Sequence, residues 1–381
     1  MDCKEPPPPS HSRIALVLQG GGALGAYQAG VFQALHENQL CPDWVVGTSI
    51  GAINAALIAG NEPHLRLERL REFWDRISHR DSVDMNKVPD HVRKLNTWLT
   101  AVDATMRGVP GFYTPRMMSP FMFGLSVQPE AASFYDTSAL TDTLHDLVDF
   151  NYLNAQGGMR MTVNALKVTS GELVGFDNTK QTIGPRHIIA SGALPPGFPG
   201  VRVDGELYWD GGLYSNTPLE TVLEDEPRKN TLCFMVDLWS PDGEEPTNLD
   251  EVQTRQKDVT YASRSKRHIE AYQQLHNMRR CMYALQKSLP PEMRDSAEIK
   301  LMAAHGCNTT MHIVHLPYSG RDWNMASKDI NFSKGSINWR WELGYHDACR
   351  AIKQAGWLNK VEQHTGVIVH ELPRETGELE I

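Results

Sequence analysis

The stretch LVLQGGGALGAYQAG, Leu16–Gly30, joins an apolar run to a cluster of glycines and then to helical spacing. Arg13 to Gln19 (RIALVLQ) is short and apolar, so it reads as a buried strand that stops at the glycines. Ala23 to Asn38 follows with the period of a helix. Gly20, Gly22 and Gly25 satisfy G-x-G-x-x-G, by which a strand–turn–helix cradles a dinucleotide pyrophosphate. The same exposed amides equally suit the oxyanion of a reacting ester. These readings are incompatible, and the second strand decides between them.

That strand is WVVGT, Trp44 to Thr48, followed by a small-residue helix from Ile50 to Ala59 and an amphipathic helix from Leu65 to Ile77. Such tight alternation implies a parallel sheet wrapped by helices. A dinucleotide site needs a carboxylate at the end of this strand to grip the ribose. Asp43 precedes the strand instead, and the strand ends in Gly47-Thr48-Ser49. No G-K-[ST] is present, so a P-loop fails as well. What ends the strand is GTSIG, Gly47 to Gly51, which is G-x-S-x-G in the strand-to-helix context of a nucleophile elbow. Ser49 must sit on a sharp turn that a side chain at Gly47 or Gly51 would crowd. The helix starting at Ile50 aims its amides and positive dipole end at the reacting centre. Adjacent parallel strands bring the glycine loop and the Ser49 turn together at the carboxyl edge of the sheet, where ligands bind.

Serine needs a base. The chain has 15 histidines, but no motif marks one as catalytic. His312 and His315 are three apart on a strand and face opposite sides. The Ser–Asp–His order of α/β-hydrolases does not fit, because one strand before residue 49 leaves no room for those that precede the nucleophile there. Asp210, in YWDGGLYSNTP, follows a strand, and Gly211-Gly212 behind it permit a sharp bend.

QGGGALG (Gln19 to Gly25), GTSIG (Gly47 to Gly51) and DGG (Asp210 to Gly212) together resemble the three motifs of the patatin-like phospholipase family, in the family's order. The segment Ala190 to Pro218 is also similar, and the resemblance covers Ile14 to Leu238. It implies a three-layer α/β/α fold with a mostly parallel central sheet, and a Ser–Asp dyad without histidine. Ser49 would be the nucleophile and Asp210 the base. Backbone amides of the Gly20–Gly21–Gly22 loop, joined by Ile50, would form the oxyanion hole, while Gly25, Gly47, Gly51, Gly211 and Gly212 shape the motifs. The implied substrate is a fatty-acyl ester of a lipid, and no cofactor or metal is implied. Many relatives carry Arg or Lys where this chain has Leu24. Beyond Ser240 the chain resembles the mainly helical C-terminal extension of some bacterial relatives, through KDINFSKGSINWRWELGYHDA (Lys328 to Ala348). The expected organisation is a disordered, proline-rich lead-in over 1–12, a catalytic domain over 13–239, an extension over 240–360 and a tail over 361–381.

Bulk properties agree with a globular chain. Of its 381 residues 41% are hydrophobic and 22% charged. A net charge of −9 lacks the basic footprint of general nucleic-acid binding. Six scattered cysteines without a C-x-x-C pair suit a reducing compartment. The first residues contain no apolar signal core, and no apolar run is long enough to span a bilayer. The expected location is the cytoplasm, with peripheral contact at the inner face of a membrane where a lipid substrate lies. Two stretches suit that contact. One holds Phe112, Tyr113, Met117, Met118, Phe121, Met122 and Phe123. The other is a basic cluster of Arg264, Lys266, Arg267, Arg279 and Arg280. The latter lies on a single long helix expected from Val252 to Lys287, with an apolar stripe at Ile269, Tyr272, Leu275, Met278, Met282 and Leu285. That stripe would face the core or a second copy of the chain in a homodimer.

Overall fold

The computed structural model describes residues 12–79, 90–116, 124–262, 265–320, 325–359, 362 and 365–372. Its strands are β1 (Arg13–Leu18), β2 (Trp44–Gly47), β3 (Thr114–Pro115), β4 (Tyr135–Asp136), β5 (Arg160–Lys167), β6 (Leu173–Asp177), β7 (Val201–Val203), β8 (Glu206–Asp210), β9 (Thr231–Asp237), β10 (Met311–Pro317) and β11 (Val367–Glu371). Among the described residues, nine of them form one sheet in the order β11-β10-β9-β1-β2-β5-β8-β7, with β6 also paired to β5. From β11 to β5 every pairing is parallel, while β6 and β8 pair antiparallel with β5, and β7 pairs antiparallel with β8. The hairpin expected at Asp204-Gly205 joins β7 to β8, and both turn residues have positive φ.

Alternation along the central strands divides the core into two faces. Leu16 and Leu18 of β1, with Phe234 and Val236 of β9, pack toward helices α1 (Ala26–Glu37), α2 (Ile50–Ala59) and α3 (Arg66–Arg76). Ala15 and Val17, with Cys233 and Met235, face the opposite layer. This is the expected α/β/α sandwich. Chain order continues through α4 (Asp90–Arg107), α5 (Ser138–Leu147), α6 (Phe150–Leu153), α7 (Pro185–Ser191) and α8 (Leu219–Leu223). The last five helices are α9 (Leu249–Tyr261), α10 (Ser265–Ser288), α11 (Pro291–Arg294), α12 (Ala297–Ala303) and α13 (Lys334–Gln354).

The residues after 240 are mainly helical, but they are built into the same body. β10 and β11 extend the central sheet beyond β9, so a boundary at 239/240 cuts between neighbouring strands. On one face α13 crosses α1 at two glycines: a Cβ on Gly30 would lie 1.8 Å from the Trp341 carbonyl oxygen, and one on Gly344 would lie 2.0 Å from that of Tyr27. Tyr27 Oη also donates to Asp347 Oδ2 at 2.8 Å. Ser333 caps α13, accepting from the Ser336 amide.

The single long helix expected from Val252 to Lys287 is two helices, α9 and α10. α9 ends at Tyr261 because buried side chains take that residue's carbonyl: Asn216 Nδ2 donates to it at 2.9 Å and Gln19 Nε2 at 3.2 Å. Of the apolar stripe on α10, Ile269 is buried while Leu275, Met278 and Leu285 are exposed. Phe112 and Tyr113 are buried. Met117, Met118, Phe121, Met122, Phe123, Arg264 and the Lys266 side chain lie outside the described residues, as does the lead-in up to residue 11. Leu24 is wholly buried in the core. Among the described residues no helix is long and apolar enough to cross a membrane.

Candidate active site

The strand-to-helix turn after β2 places Ser49 at φ 57° and ψ −123°. A non-glycine residue held there is strained, which is the signature of a nucleophile elbow. The flanking glycines are sterically required. A Cβ on Gly47 would lie 2.3 Å from the Gly51 carbonyl oxygen, and one on Gly51 would lie 2.2 Å from that of Leu18. Two hydrogen bonds anchor the Ser49 amide, to the Ser191 carbonyl at 3.1 Å and to Ser191 Oγ at 3.0 Å. The hydroxyl caps nothing on α2, which leaves it available for chemistry.

Register brings Asp210 to the same level. Gly47 of β2 pairs with Val163 of β5, and two residues further along β5, Ala165 pairs with Asp210 of β8. Ser49 is also two residues beyond Gly47, so serine and aspartate meet across the edge of β5. The Ser49 hydroxyl and the Asp210 carboxyl line the same cavity, near enough for the serine to favour the charged carboxylate. Asp210 is only 3% exposed. Burial pushes its pKa up to about 7, against the pull of the Gly212 amide and the nearby Ser49 hydroxyl, which favour the charged form. The Gly212 amide donates to Asp210 Oδ1 at 2.7 Å. A Cβ on Gly211 would lie 2.4 Å from the Asn164 carbonyl oxygen, so the DGG bend also depends on backbone contact.

Gly20, Gly21, Gly22, Ser49, Ile50, Asp210 and Gly212 line one cavity of about 940 Å³, counting its open mouth. Among the described residues, the amides of Gly21, Gly22 and Ile50 have no hydrogen-bond acceptor within the protein. Ile50 is the first residue of α2, so its unpaired N–H also carries the positive end of the helix dipole. Gly25, Gly47, Gly51 and Gly211 lie outside the lining and serve as packing residues. Gly25, for instance, is pressed against Ile50 and Trp74. Ile53, Leu140, Ile188, Phe198 and Phe332 give the rest of the cavity an apolar wall.

The histidines on β10 take no part in this cavity. His312 stacks on His370, and His315 pairs with Asp237 and Glu371. Sequence reasoning missed several lining residues: Asn216, Trp239 and Tyr261, and Asp329, Ile330 and Phe332 from the extension. Asn216 stood in the quoted SNTP segment, and Asp329 to Phe332 in the stretch that identified the extension. No local pattern distinguished them, because their role arises from contacts distant in sequence.

The segment of chain that carries the glycine loop, serine elbow and aspartate turn is similar to known proteins. The model of the patatin-like phospholipase family matches residues 16–223, and a second family model, described as patatin phospholipase, matches residues 259–364. Lysophospholipase NTE1 of Candida glabrata is 24% identical over 238 residues, which are 62% of this chain and 11% of that protein. Lysophospholipase NTE1 of Saccharomyces cerevisiae is 25% identical over 238 residues, with 62% and 11% covered. The chain therefore spans about a tenth of the length of these curated relatives. VipD from Legionella pneumophila is a structural neighbour at a TM-score of 0.40 and 14% identity, covering 90% of this chain and 67% of that one. With one family model spanning more than half of its length, this chain belongs to the patatin-like phospholipase family.

Proposed function

We propose that the protein is a serine acyl-ester hydrolase acting on fatty-acyl esters of lipids through a Ser49–Asp210 dyad. The observation that carries this reading is Ser49 beside a buried Asp210, in the same apolar-walled cavity as the amides of Gly21, Gly22 and Ile50, which have no acceptor among the described residues. Ser49 Oγ attacks the acyl carbonyl while its proton passes to Asp210. The negative oxygen that forms is received by the amides of Gly21, Gly22 and Ile50. Collapse of the tetrahedral species expels the alcohol, which leaves with the proton from Asp210, and the acyl group stays on Ser49. Water then gives its proton to Asp210 and attacks the acyl-enzyme. Ser49 departs with that proton, and the fatty acid is released.

A carboxylate of ordinary pKa is a weak base for this task, whereas one near 7 is matched to neutral pH. The apolar wall suits an acyl chain, and membership of the phospholipase family and lysophospholipase relatives support a lipid ester as substrate. The experiment is an ester series (p-nitrophenyl acyl esters, lysophospholipids, phospholipids and triacylglycerols) with Ser49→Ala and Asp210→Asn beside the wild type. Turnover lost in both folded variants, with fluorophosphonate labelling confined to Ser49, is the expected result. Full activity in either variant would refute the dyad.

A further inference from the structure

We infer that Trp239 and Asn216 are positioning residues that aim the Gly21 amide at the oxyanion, and that the C-terminal extension sets Trp239 for that task. This deepens the hydrolase reading above and rests on it. The Gly20 carbonyl oxygen has two side-chain donors, Trp239 Nε1 at 2.8 Å and Asn216 Nδ2 at 3.0 Å. In a planar trans peptide the C=O of one residue and the N–H of the next point in opposite directions. Holding the Gly20 oxygen therefore turns the Gly21 N–H away from Trp239 and Asn216. Among the described residues that N–H has no acceptor, and Gly21 lines the cavity that contains Ser49.

Glycine makes this clamp necessary. A glycine peptide flips easily, because no Cβ restricts its torsions, and a flipped Gly20–Gly21 peptide would present a carbonyl oxygen to the developing negative charge. The glycines cannot be traded for stiffer residues. A Cβ on Gly20 would lie 2.4 Å from Asn216 Oδ1, and one on Gly21 would lie 2.7 Å from Leu238 Cδ1 and 3.2 Å from Trp239 Nε1.

Residues on both sides of position 240 hold the indole. The Trp239 amide donates to Gln19 Oε1 at 3.0 Å. Its ring packs on Tyr261 of α9 with centroids 5.2 Å apart, and Lys328 Nζ lies 5.1 Å from the ring centre. Lys328 is itself paired to Asp258 at 2.6 Å. The carbonyl of Tyr261 is the second acceptor of Asn216 Nδ2. Both donors to Gly20 are thus seated on the extension, which joins it to the oxyanion peptide.

The test is Trp239→Phe, which removes the indole donor and keeps a ring against Tyr261, with Asn216→Ser as companion. For p-nitrophenyl esters kcat is expected to fall about tenfold in each, with KM changed less than about twofold, since the lost interaction acts only in the transition state. Affinity for a trifluoromethyl ketone, which forms an oxyanion with Ser49, should fall by a similar factor. Affinity for the matching alkyl ether, which cannot form one, should not change. If Trp239→Phe shows no cooperative unfolding, Asn216→Ser decides the question. Unchanged kcat in folded variants, a rise in KM alone, or equal losses for ketone and ether would overturn the inference. Wild-type turnover that survives Ser49→Ala, or no turnover at all, would sink the hydrolase reading and this inference with it.

Discussion

Replacing Asp210 by asparagine should make the protein more stable at alkaline pH while abolishing its chemistry. The carboxyl is almost wholly buried, and its pKa rises from the ordinary 3.8 to about 7. Between those limits the folded chain keeps a proton that the unfolded chain has released. Stability therefore falls as pH rises across that window and levels off above it. At about 1.4 kcal/mol for each tenfold change in proton affinity, the wild type loses about 4 kcal/mol by neutral pH. The asparagine side chain would not titrate, while its oxygen can still accept from the Gly212 amide and its amide group can meet Ser49. Urea unfolding should show the variant ahead by about 4 kcal/mol at about pH 8, and the two proteins within about 1 kcal/mol near pH 4. In wild type the same group should make kcat/KM rise with pH and level off near 7. A variant less stable than wild type at about pH 8, or a rate profile that levels off near the ordinary carboxylate pKa, would refute this account.

Three further outcomes follow from backbone and side-chain geometry. Ser49→Gly should be inactive yet more stable by about 1–2 kcal/mol, because glycine accepts φ 57° without strain, as chemical denaturation would register. Gly30→Ala should destabilise by about 3 kcal/mol or more and lower the thermal midpoint, since its Cβ would fall 1.8 Å from the Trp341 carbonyl oxygen; an unchanged midpoint would contradict the α1–α13 crossing. Burial pulls the pKa of His315 down, but the acceptors Asp237 and Glu371 on either side outweigh it and raise the value to about 10. Its stabilising contribution is complete below the ordinary 6.5 and lost as pH rises through 10. Because Glu371 is exposed, the loss should be on the order of 2 kcal/mol, and His315→Gln should remove that pH dependence from unfolding curves.

Local turn geometry was legible in the residues. A strand that ends in G-x-S-x-G and runs into a small-residue helix leaves its glycines no room for a Cβ, and both parallel-strand loops emerge at one sheet edge. The two-faced sheet likewise follows from alternation along β1 and β9. Where contacts distant in sequence decide, local reading fell short. Nothing near Tyr261 breaks the helical pattern from Val252 to Lys287; the break comes from Gln19 and Asn216, which claim the Tyr261 carbonyl. The stretch around Lys328 was recognisable as part of an extension, yet its place in the cavity wall depends on how α9 and α13 pack.

By itself the sequence determined the strand-to-helix turn at Ser49 and the glycines it requires, because those depend on sterics within a few residues. Only the tertiary structure decided that Asp210 lies level with Ser49, since that is a matter of register across β5. Only burial moved the Asp210 carboxyl to about 7, because desolvation is the work of the whole surrounding fold. And only the packing of α9 on Trp239, beside Asn216, oriented the glycine peptide: a torsion that glycine leaves free has to be set by donors brought from elsewhere in the chain.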